Sequence, residues 1–325
     1  QGIPAPRANY VRLYINGDYW GLYIAVERIQ KSFLKDRFGD NEGNLFKGDG
    51  PGASCANLRY HGTINSYYNC YTLKTNETAN DWTDLINLTA QINNTSASQF
   101  MDSVEAVLNS NTFISAWAAY NIFVDFDSYP YRFIHNYYIY HDTVSDKFQW
   151  IVWDASTAFG MDVPMTVSQI ENISVLYLSP PATARPLADK MLNDSIYKDT
   201  YLQYVCRFAN NYFLPTVLNP KIDDLRNRIQ SWVYADSLKM YTDQNFDQNI
   251  NNTITIGNLD FPGLKSFIAN RSASILAELG TLGYTNCPLA VGLADQGKAG
   301  KLGIMVSPNP SCGQVSLRIS GKQLD

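Results

Sequence analysis

Charged residues are scarce in this sequence: Asp, Glu, Lys and Arg make up 17% of its 325 residues, against about a quarter in a typical globular protein. The net charge is −5, and there is no basic block, zinc-finger spacing or basic amphipathic stripe. Nucleic-acid binding through neutralisation of phosphates is therefore not expected. No apolar run is long enough to span a bilayer, so we expect no membrane span.

Several catalytic and metal-binding motifs are also missing. The lack of C-x-x-C argues against a zinc ribbon or a thioredoxin-like site, and the lack of G-x-x-x-x-G-K-[ST] argues against a P-loop. A serine hydrolase is disfavoured because no G-x-S-x-G occurs and only three histidines are present. His135 and His141 would share one face of a strand without an evident third ligand, so we expect them to be structural or surface groups.

The five cysteines favour an oxidising compartment. Cys55 and Cys70 flank a polar loop, and we expect a disulfide to close it. Cys206 lies in a helical pattern beside apolar residues, which predicts a buried thiol. Because the number of cysteines is odd, at least one has no partner within the chain. A surface rich in Asn, Ser, Thr and Tyr also suits an exported protein.

Hydrophobic periodicity predicts strands early in the chain and helices later. Tyr10–Ile15 and Tyr19–Val26 flank Asn16-Gly17-Asp18, a turn whose Asn-Gly pair tolerates positive φ, so a hairpin is expected. This order predicts an α+β fold with two lobes, a β-rich N-terminal part and a mainly helical C-terminal part. Further strands are predicted at 44–48, 134–141 and 147–153, loops at 49–80 and 161–185, and helices at 29–38, 81–92, 97–109, 111–124, 186–192, 195–213, 218–239 and 261–279.

The end of the chain has a different character. A stretch with Gly, Ala and Pro at 285–303 is typical of a linker, and Val315–Ile319 alternates as a strand does. We therefore predict one main domain over 1–284, a linker over 285–303 and a partial small β domain over 304–325.

Three polar residues stand at the ends of apolar elements. Asp127 follows an apolar helix, Asn136 precedes a Tyr-rich strand, and Asp154 ends an apolar strand shortly before Phe159-Gly160. Phosphoryl transfer needs a carboxylate that orients the attacking hydroxyl, and a second carboxylate with a carboxamide that holds Mg²⁺. The order Asp, Asn, Asp-x-x-x-x-Phe-Gly is similar to that of protein kinases. On these residues alone, Asp127 as a helix-end residue and Asp154 as a turn former remain an alternative.

Longer segments carry a family resemblance. Tyr14–Ile24 with Glu27 resembles the signature "vNGeYwGlY…E", and Phe33–Gly39 and Asn44–Lys47 resemble the segments that follow it. Asp127 with Asn136–Tyr140 resembles "D…NyYlY", and Trp153-Asp154 with Phe159-Gly160 resembles "WDxDxxFG". In this order the segments resemble the CotH kinase-like family of the spore coat protein H type, over about residues 7–283.

The resemblance implies an atypical protein-kinase-like fold that uses ATP and Mg²⁺. It makes Asp127 the catalytic carboxylate, with Asp125 as the rival two residues away. It also makes Asp154 a ligand of Mg²⁺, assisted by Asn136.

Three nucleotide-binding residues are implied as well. Glu27 would correspond to the kinase glutamate that pairs with an ATP-binding lysine, and Phe46 and Phe148 would be neighbours of the adenine.

The sequence departs from the family pattern in three places. The second Asp of "WDxDxxFG" is Ser156, a poor metal ligand, which puts catalysis in doubt. The family's upstream basic segment does not precede Gln1, so we expect the N-terminal part of the domain to be missing. The stretch 49–80 has no family counterpart.

Ser307-Pro308-Asn309-Pro310 and the strand after it resemble the C-terminal sorting domain of the type IX secretion system, cut short. This resemblance implies export from a bacterium and an interaction with secretion machinery. The predicted protein is a secreted or cell-surface kinase that transfers phosphate from Mg-ATP to a hydroxyl of an unknown protein acceptor. The alternative is a non-catalytic coat or surface protein, or an adhesin, on the same fold.

Overall fold

The computed structural model describes residues 2–49, 55–161, 165–285 and 287, and the backbone of 303–307 and 316–320. The predicted hairpin is present as β1 (Ala8–Ile15) and β2 (Asp18–Val26), which pair antiparallel. Asn16 and Gly17 have φ of 54° and 95°, the left-handed conformation that tight hairpin turns need.

Four strands between residues 45 and 152 form one antiparallel sheet. Its order is β4-β3-β5-β6, and its register aligns Phe46 with Ile139 and Ile139 with Trp150. Strand β4 falls in the stretch predicted to be a loop. Between the hairpin and the end of the sheet the elements are α1 (Lys31–Phe38), β3 (Leu45–Gly48), β4 (Tyr71–Leu73), α2 (Thr83–Asn94), α3 (Phe100–Val107), α4 (Ser110–Ile122), β5 (Tyr137–Asp142) and β6 (Lys147–Val152).

Helix α4 joins this sheet to the C-terminal helices. It is buried on nearly all sides because it packs against β6 on one side and against helix α7 (Ser195–Asn211) on the other. Its Phe113 ring lies 4.8 Å from that of Trp150, and its Trp117 ring lies 4.4 Å from that of Tyr201. The helix therefore has a fixed C-terminal end, from which the acidic segment that includes Asp127 continues.

The second half is mainly helical, as predicted, and the α+β class is confirmed. Helix α9 and the short hairpin of β7 and β8 were not predicted. Among the described residues, no helix combines the length and the apolar character needed to cross a membrane. The elements are α5 (Val167–Glu171), α6 (Pro186–Asn193), α7 (Ser195–Asn211), α8 (Pro215–Ala235), α9 (Asp243–Asn249), β7 (Ile254–Ile256), β8 (Leu259–Phe261) and α10 (Leu264–Thr281).

The chain divides into two units, Gln1–Val291 and Gly292–Asp325. In the second unit, β9 (Gly303–Ser307) and β10 (Ser316–Ser320) pair antiparallel. Apart from Gly303, the predicted linker after 287 lies outside the described residues.

The cysteine predictions have mixed outcomes. Cys55 and Cys70 form the predicted disulfide, with Cα atoms 5.2 Å apart. Cys206 is buried, but it forms a disulfide with Cys287, so the prediction of a free thiol is wrong. The two residues are 81 positions apart in sequence, and the packing of α10 against α7 brings them together. Such a pairing cannot be deduced from spacing.

His141 lies between two carboxylates near the C-terminal end of strand β5. Its Nδ1 lies 3.1 Å from Asp84 Oδ2, and its Nε2 lies 3.1 Å from Asp146 Oδ1. The hydrogen bond to Asp84 raises the pKa of His141 above its usual value. A raised folded-state pKa stabilises the fold below about pH 6.5, and this contribution is lost as pH rises through the raised value.

We therefore expect the free energy of unfolding to fall by roughly 0.5–1 kcal/mol between about pH 6 and pH 9, relative to His141→Gln. Urea unfolding across this range measures the difference, and His61→Gln, at an exposed histidine, is the control. If wild type and His141→Gln have parallel pH profiles, the carboxylates do not stabilise the charged imidazole.

Candidate active site

Two loops meet beside the C-terminal end of α4. One loop continues from α4 through Phe123 and Val124, and the other follows β6. The N–H of Phe159 donates to the carbonyl of Phe123 at 2.7 Å, and the N–H of Gly160 donates to the carbonyl of Val124 at 3.0 Å. These backbone bonds fix the loop of Asp154 against the loop of Asp127.

The backbone of this region is strained. Val124, Asn136, Asp154 and Phe159 have positive φ, between 52° and 67°. A β-branched residue in this conformation is rare, and each such residue costs about 1 kcal/mol or more. Backbone strain of this kind concentrates at functional sites. Gly160, at φ 73°, is also required for space, because a Cβ there would lie 2.5 Å from Ile170 Cδ1.

Asp127 and Asn136 are brought together, whereas the resemblance had implied Asn136 as a partner of Asp154 in the metal site. The Nδ2 of Asn136 donates to the backbone carbonyl of Asp127 at 3.0 Å and to Asp127 Oδ2 at 2.8 Å. His135 Nε2 contacts Asp127 Oδ1. Both oxygens of the Asp127 carboxylate are thus oriented, and its side chain keeps 20% of its surface exposed. His135 is therefore part of the site, which sequence reasoning missed.

Asp154 is less constrained. It is exposed, and its Oδ1 accepts a long hydrogen bond of 3.4 Å from the N–H of Ser156. In the described part of the chain it forms no hydrogen bond with Asp127 or Asn136. Its loop nevertheless contacts Asp125, because Thr157, three residues after Asp154, donates a hydrogen bond to Asp125 Oδ1 at 2.9 Å.

Asp125 is a buried carboxylate, 2% exposed. Its Oδ1 accepts from Thr157 Oγ1 at 2.9 Å, whereas its Oδ2 is buried without a hydrogen-bond partner. Burial raises its pKa to about 7; the Thr157 hydrogen bond opposes this rise, and the charges of Asp127 and then Asp154 add to it. The three carboxylates therefore form one electrostatic group, which we call the acidic cluster.

The chemistry of these residues fits a divalent cation with hard oxygen ligands. Carboxylate and amide oxygens are the ligands that Mg²⁺ prefers. The buried Oδ2 of Asp125 lacks a hydrogen-bond partner, and a bound cation would supply one and favour the ionised carboxylate. As they stand, however, no three His, Cys, Asp or Glu side chains among the described residues are arranged to hold a metal ion.

Glu27 has different partners from those expected. It contacts Arg7, whose Nε lies 3.1 Å from Oε2, and Arg37, whose Nη2 lies 3.0 Å from the same oxygen. The hydrogen bond from Arg7 lowers the pKa of Glu27. The expected lysine partner is not found in the described part of the chain, and Lys47 pairs with Asp49 instead.

Phe46 and Phe148 are 0% and 2% exposed. The Phe46 ring lies 5.1 Å from Trp82, and the Phe148 ring stacks on His141 at 5.0 Å. The enclosure of Phe46 contradicts its expected role, because a fully covered ring has no face on which adenine can stack. Phe148 borders a cavity of about 350 Å³ with His141, but the imidazole covers a face of its ring. We therefore assign no nucleotide-binding role to either ring.

Comparison with known proteins shows the family of the chain. The profile of the family described as CotH kinase protein matches residues 1–275. The chain is also similar to the inner spore coat protein H of Bacillus subtilis (strain 168), with 22% identity over 249 residues. That match covers 76% of this chain and 66% of the relative, so the chain spans just under two thirds of the relative's length. Since the family profile covers most of the sequence, the chain belongs to the CotH kinase protein family.

Proposed function

We propose that this chain is a kinase-like phosphotransferase that transfers phosphate from Mg-ATP to a hydroxyl of a protein acceptor. Asp127 would orient the attacking hydroxyl. Asp154 and Asn136 would hold Mg²⁺. When bound, Mg²⁺ supplies positive charge that offsets the negative charge of the phosphates.

The observation that carries the proposal is the pair of hydrogen bonds from Asn136 to Asp127. Both bonds use Nδ2, so the Oδ1 of Asn136 remains available as a cation ligand. One side chain thereby joins the proposed catalytic carboxylate to the proposed metal site. His135 holds the other oxygen of Asp127, so the carboxylate is positioned before a substrate arrives.

An exported location is part of the proposal. The Cys55–Cys70 and Cys206–Cys287 disulfides are typical of oxidising compartments. The relative's name places that protein in a spore coat, and by similarity we propose a coat or cell-surface location here. The segment 304–325 would act as a sorting domain for the secretion machinery.

A non-catalytic coat or surface protein is the second candidate. Two observations favour it: position 156 has a serine hydroxyl where the resemblance calls for a carboxylate, and Asp154 is not bonded to Asn136. Such a protein would fold without binding Mg-ATP. Stabilisation by glycans but not by ATP would instead indicate an adhesin.

A thermal-shift titration with Mg-ATP distinguishes these candidates. We expect stabilisation of wild type by about 2–3 kcal/mol at a ligand concentration of 100 times Kd. Asp154→Asn should lose this shift, because an amide is a weaker ligand than a carboxylate. The variant should still fold, since Asp154 is exposed and Asn tolerates its positive φ of 52°.

Asp224→Asn, an exposed acidic position on α8, is the matched control and should behave as wild type. An equal Mg-ATP shift in Asp154→Asn and wild type would rule out the role given to Asp154. A folded wild type with no shift would favour the non-catalytic protein.

A further inference from the structure

Asp125 is unusual among the buried acidic residues of the chain. Asp40, by comparison, accepts hydrogen bonds from Tyr140 and Thr143, and Asp142 accepts from Val144 and Ser145. Asp125 has one side-chain donor, Thr157, and leaves Oδ2 without a partner. No Lys, Arg or His in the described ranges forms an ion pair with it.

A buried carboxylate oxygen without a donor is costly, and nearby negative charges increase the cost. Both Asp127 and Asp154 are near enough for their charges to act on Asp125. A cation within the acidic cluster would remove both penalties at once. A carboxylate at this buried position is the side chain that a cation would favour over an apolar or amide group.

Thr157 fixes the direction of the Asp125 side chain. Its hydroxyl binds Oδ1 from within the loop that contains Asp154 and Ser156. The carboxylate is therefore linked to the same loop as the proposed metal ligand Asp154. Ser156, next to Thr157 in the sequence, is exposed and neutral.

We propose that Asp125 is a further ligand of the divalent cation and supplies, through Oδ2, the carboxylate that position 156 lacks. This inference rests on the proposed function, because it concerns the cation of the same Mg-ATP site. It gives Asp125 a role distinct from that of Asp127, which faces the acceptor hydroxyl.

The test measures cation affinity instead of catalysis. The full chain is titrated with Mn-ATP, and protein-bound Mn²⁺ is followed by water-proton relaxation enhancement, because ATP alone already binds free Mn²⁺. Asp125→Asn should weaken Mn²⁺ binding by at least about tenfold. Asp142→Asn, at a buried aspartate outside the acidic cluster, should bind Mn²⁺ as wild type does, within about twofold.

Stability without the cation gives a second readout. Asp125→Asn should melt no lower than wild type in a chelator, because the amide still accepts from Thr157 and the unpartnered charge is gone. A carboxylate that only supported the fold would instead give a lower melting temperature and unchanged Mn²⁺ affinity.

The double variant Asp125→Asn with Ser156→Asp tests whether a carboxylate at position 156 replaces that of Asp125. We expect it to recover most of the lost affinity, because the new carboxylate is on the same loop. No recovery, or wild-type affinity in Asp125→Asn while Asp154→Asn binds weakly, would overturn the role of Asp125 and leave the proposed function intact. No Mn²⁺ binding by wild type with ATP would overturn the proposed function and this inference together.

Discussion

Asp127→Asn is expected to reduce phosphoryl transfer by at least about a hundredfold, while Mg-ATP affinity stays within about twofold of wild type. The amide keeps the shape of the side chain and accepts from Asn136, but it cannot accept a proton from the attacking hydroxyl. The loss therefore falls on the chemical step and not on nucleotide binding. This separation distinguishes Asp127 from Asp154, whose replacement should weaken binding.

The rate is measured as transfer of labelled γ-phosphate from ATP to protein, including the chain's own hydroxyls. Mg-ATP affinity is measured on the same samples by calorimetry. Asp224→Asn should transfer label as wild type does. Wild-type transfer by Asp127→Asn would assign the catalytic carboxylate elsewhere, with Asp125 as the first alternative.

Arg271→Leu is expected to destabilise the fold by roughly 3–5 kcal/mol. Arg271 is 0% exposed, and no carboxylate of the described residues is hydrogen-bonded to it. Its guanidinium donates to the carbonyl of Ile173, to the carbonyl of Asn121 at 3.2 Å and to Asn121 Oδ1 at 2.8 Å. Burial lowers its pKa to about 10, so it remains charged at neutral pH. Leucine would remove the guanidinium donor from the Ile173 carbonyl and from Asn121 Oδ1, whereas the Asn121 carbonyl would still accept from the N–H of Val124 at 3.1 Å.

Urea unfolding measures this change in the free energy of unfolding. Arg228→Leu, at an exposed arginine on α8, should cost less than about 0.5 kcal/mol. Arg271→Lys should be intermediate, because an ammonium keeps the charge but not the forked donor geometry. A loss under about 1 kcal/mol for Arg271→Leu would show that water or neighbouring donors replace the guanidinium. Arg271 on α10 donates hydrogen bonds to Asn121 near the end of α4. Replacing Arg271 should therefore also displace the loop of Asp127.

Strong local patterns explain which parts of the fold were predictable. The Asn-Gly turn specified the first hairpin, and long apolar runs specified α4, β5 and β6. Strand β4 and the hairpin of β7 and β8 were missed because each strand has three residues, too few for an alternating pattern to stand out. Strand β4 is a strand because β3 supplies its partner, and that is tertiary information.

Residues of the candidate site could be predicted only where short sequence segments indicate their chemistry. The sequence placed Asp127 and Asn136 in one set of polar residues at the ends of apolar elements, but it did not indicate the hydrogen bonds between them. His135 was assigned to one strand face together with His141, but β5 begins at Tyr137, so the period of two does not apply to His135. The unpartnered oxygen of Asp125 depends on how α4 and two loops pack, which no sequence pattern records.

A crystal structure of the full chain with Mg²⁺ and a non-hydrolysable ATP analogue tests the central claim most directly. We expect the cation to be bound by Asp154, Asn136 Oδ1 and Asp125, with the γ-phosphate facing Asp127. A nucleotide bound elsewhere, or no nucleotide at saturating concentration, would contradict the account.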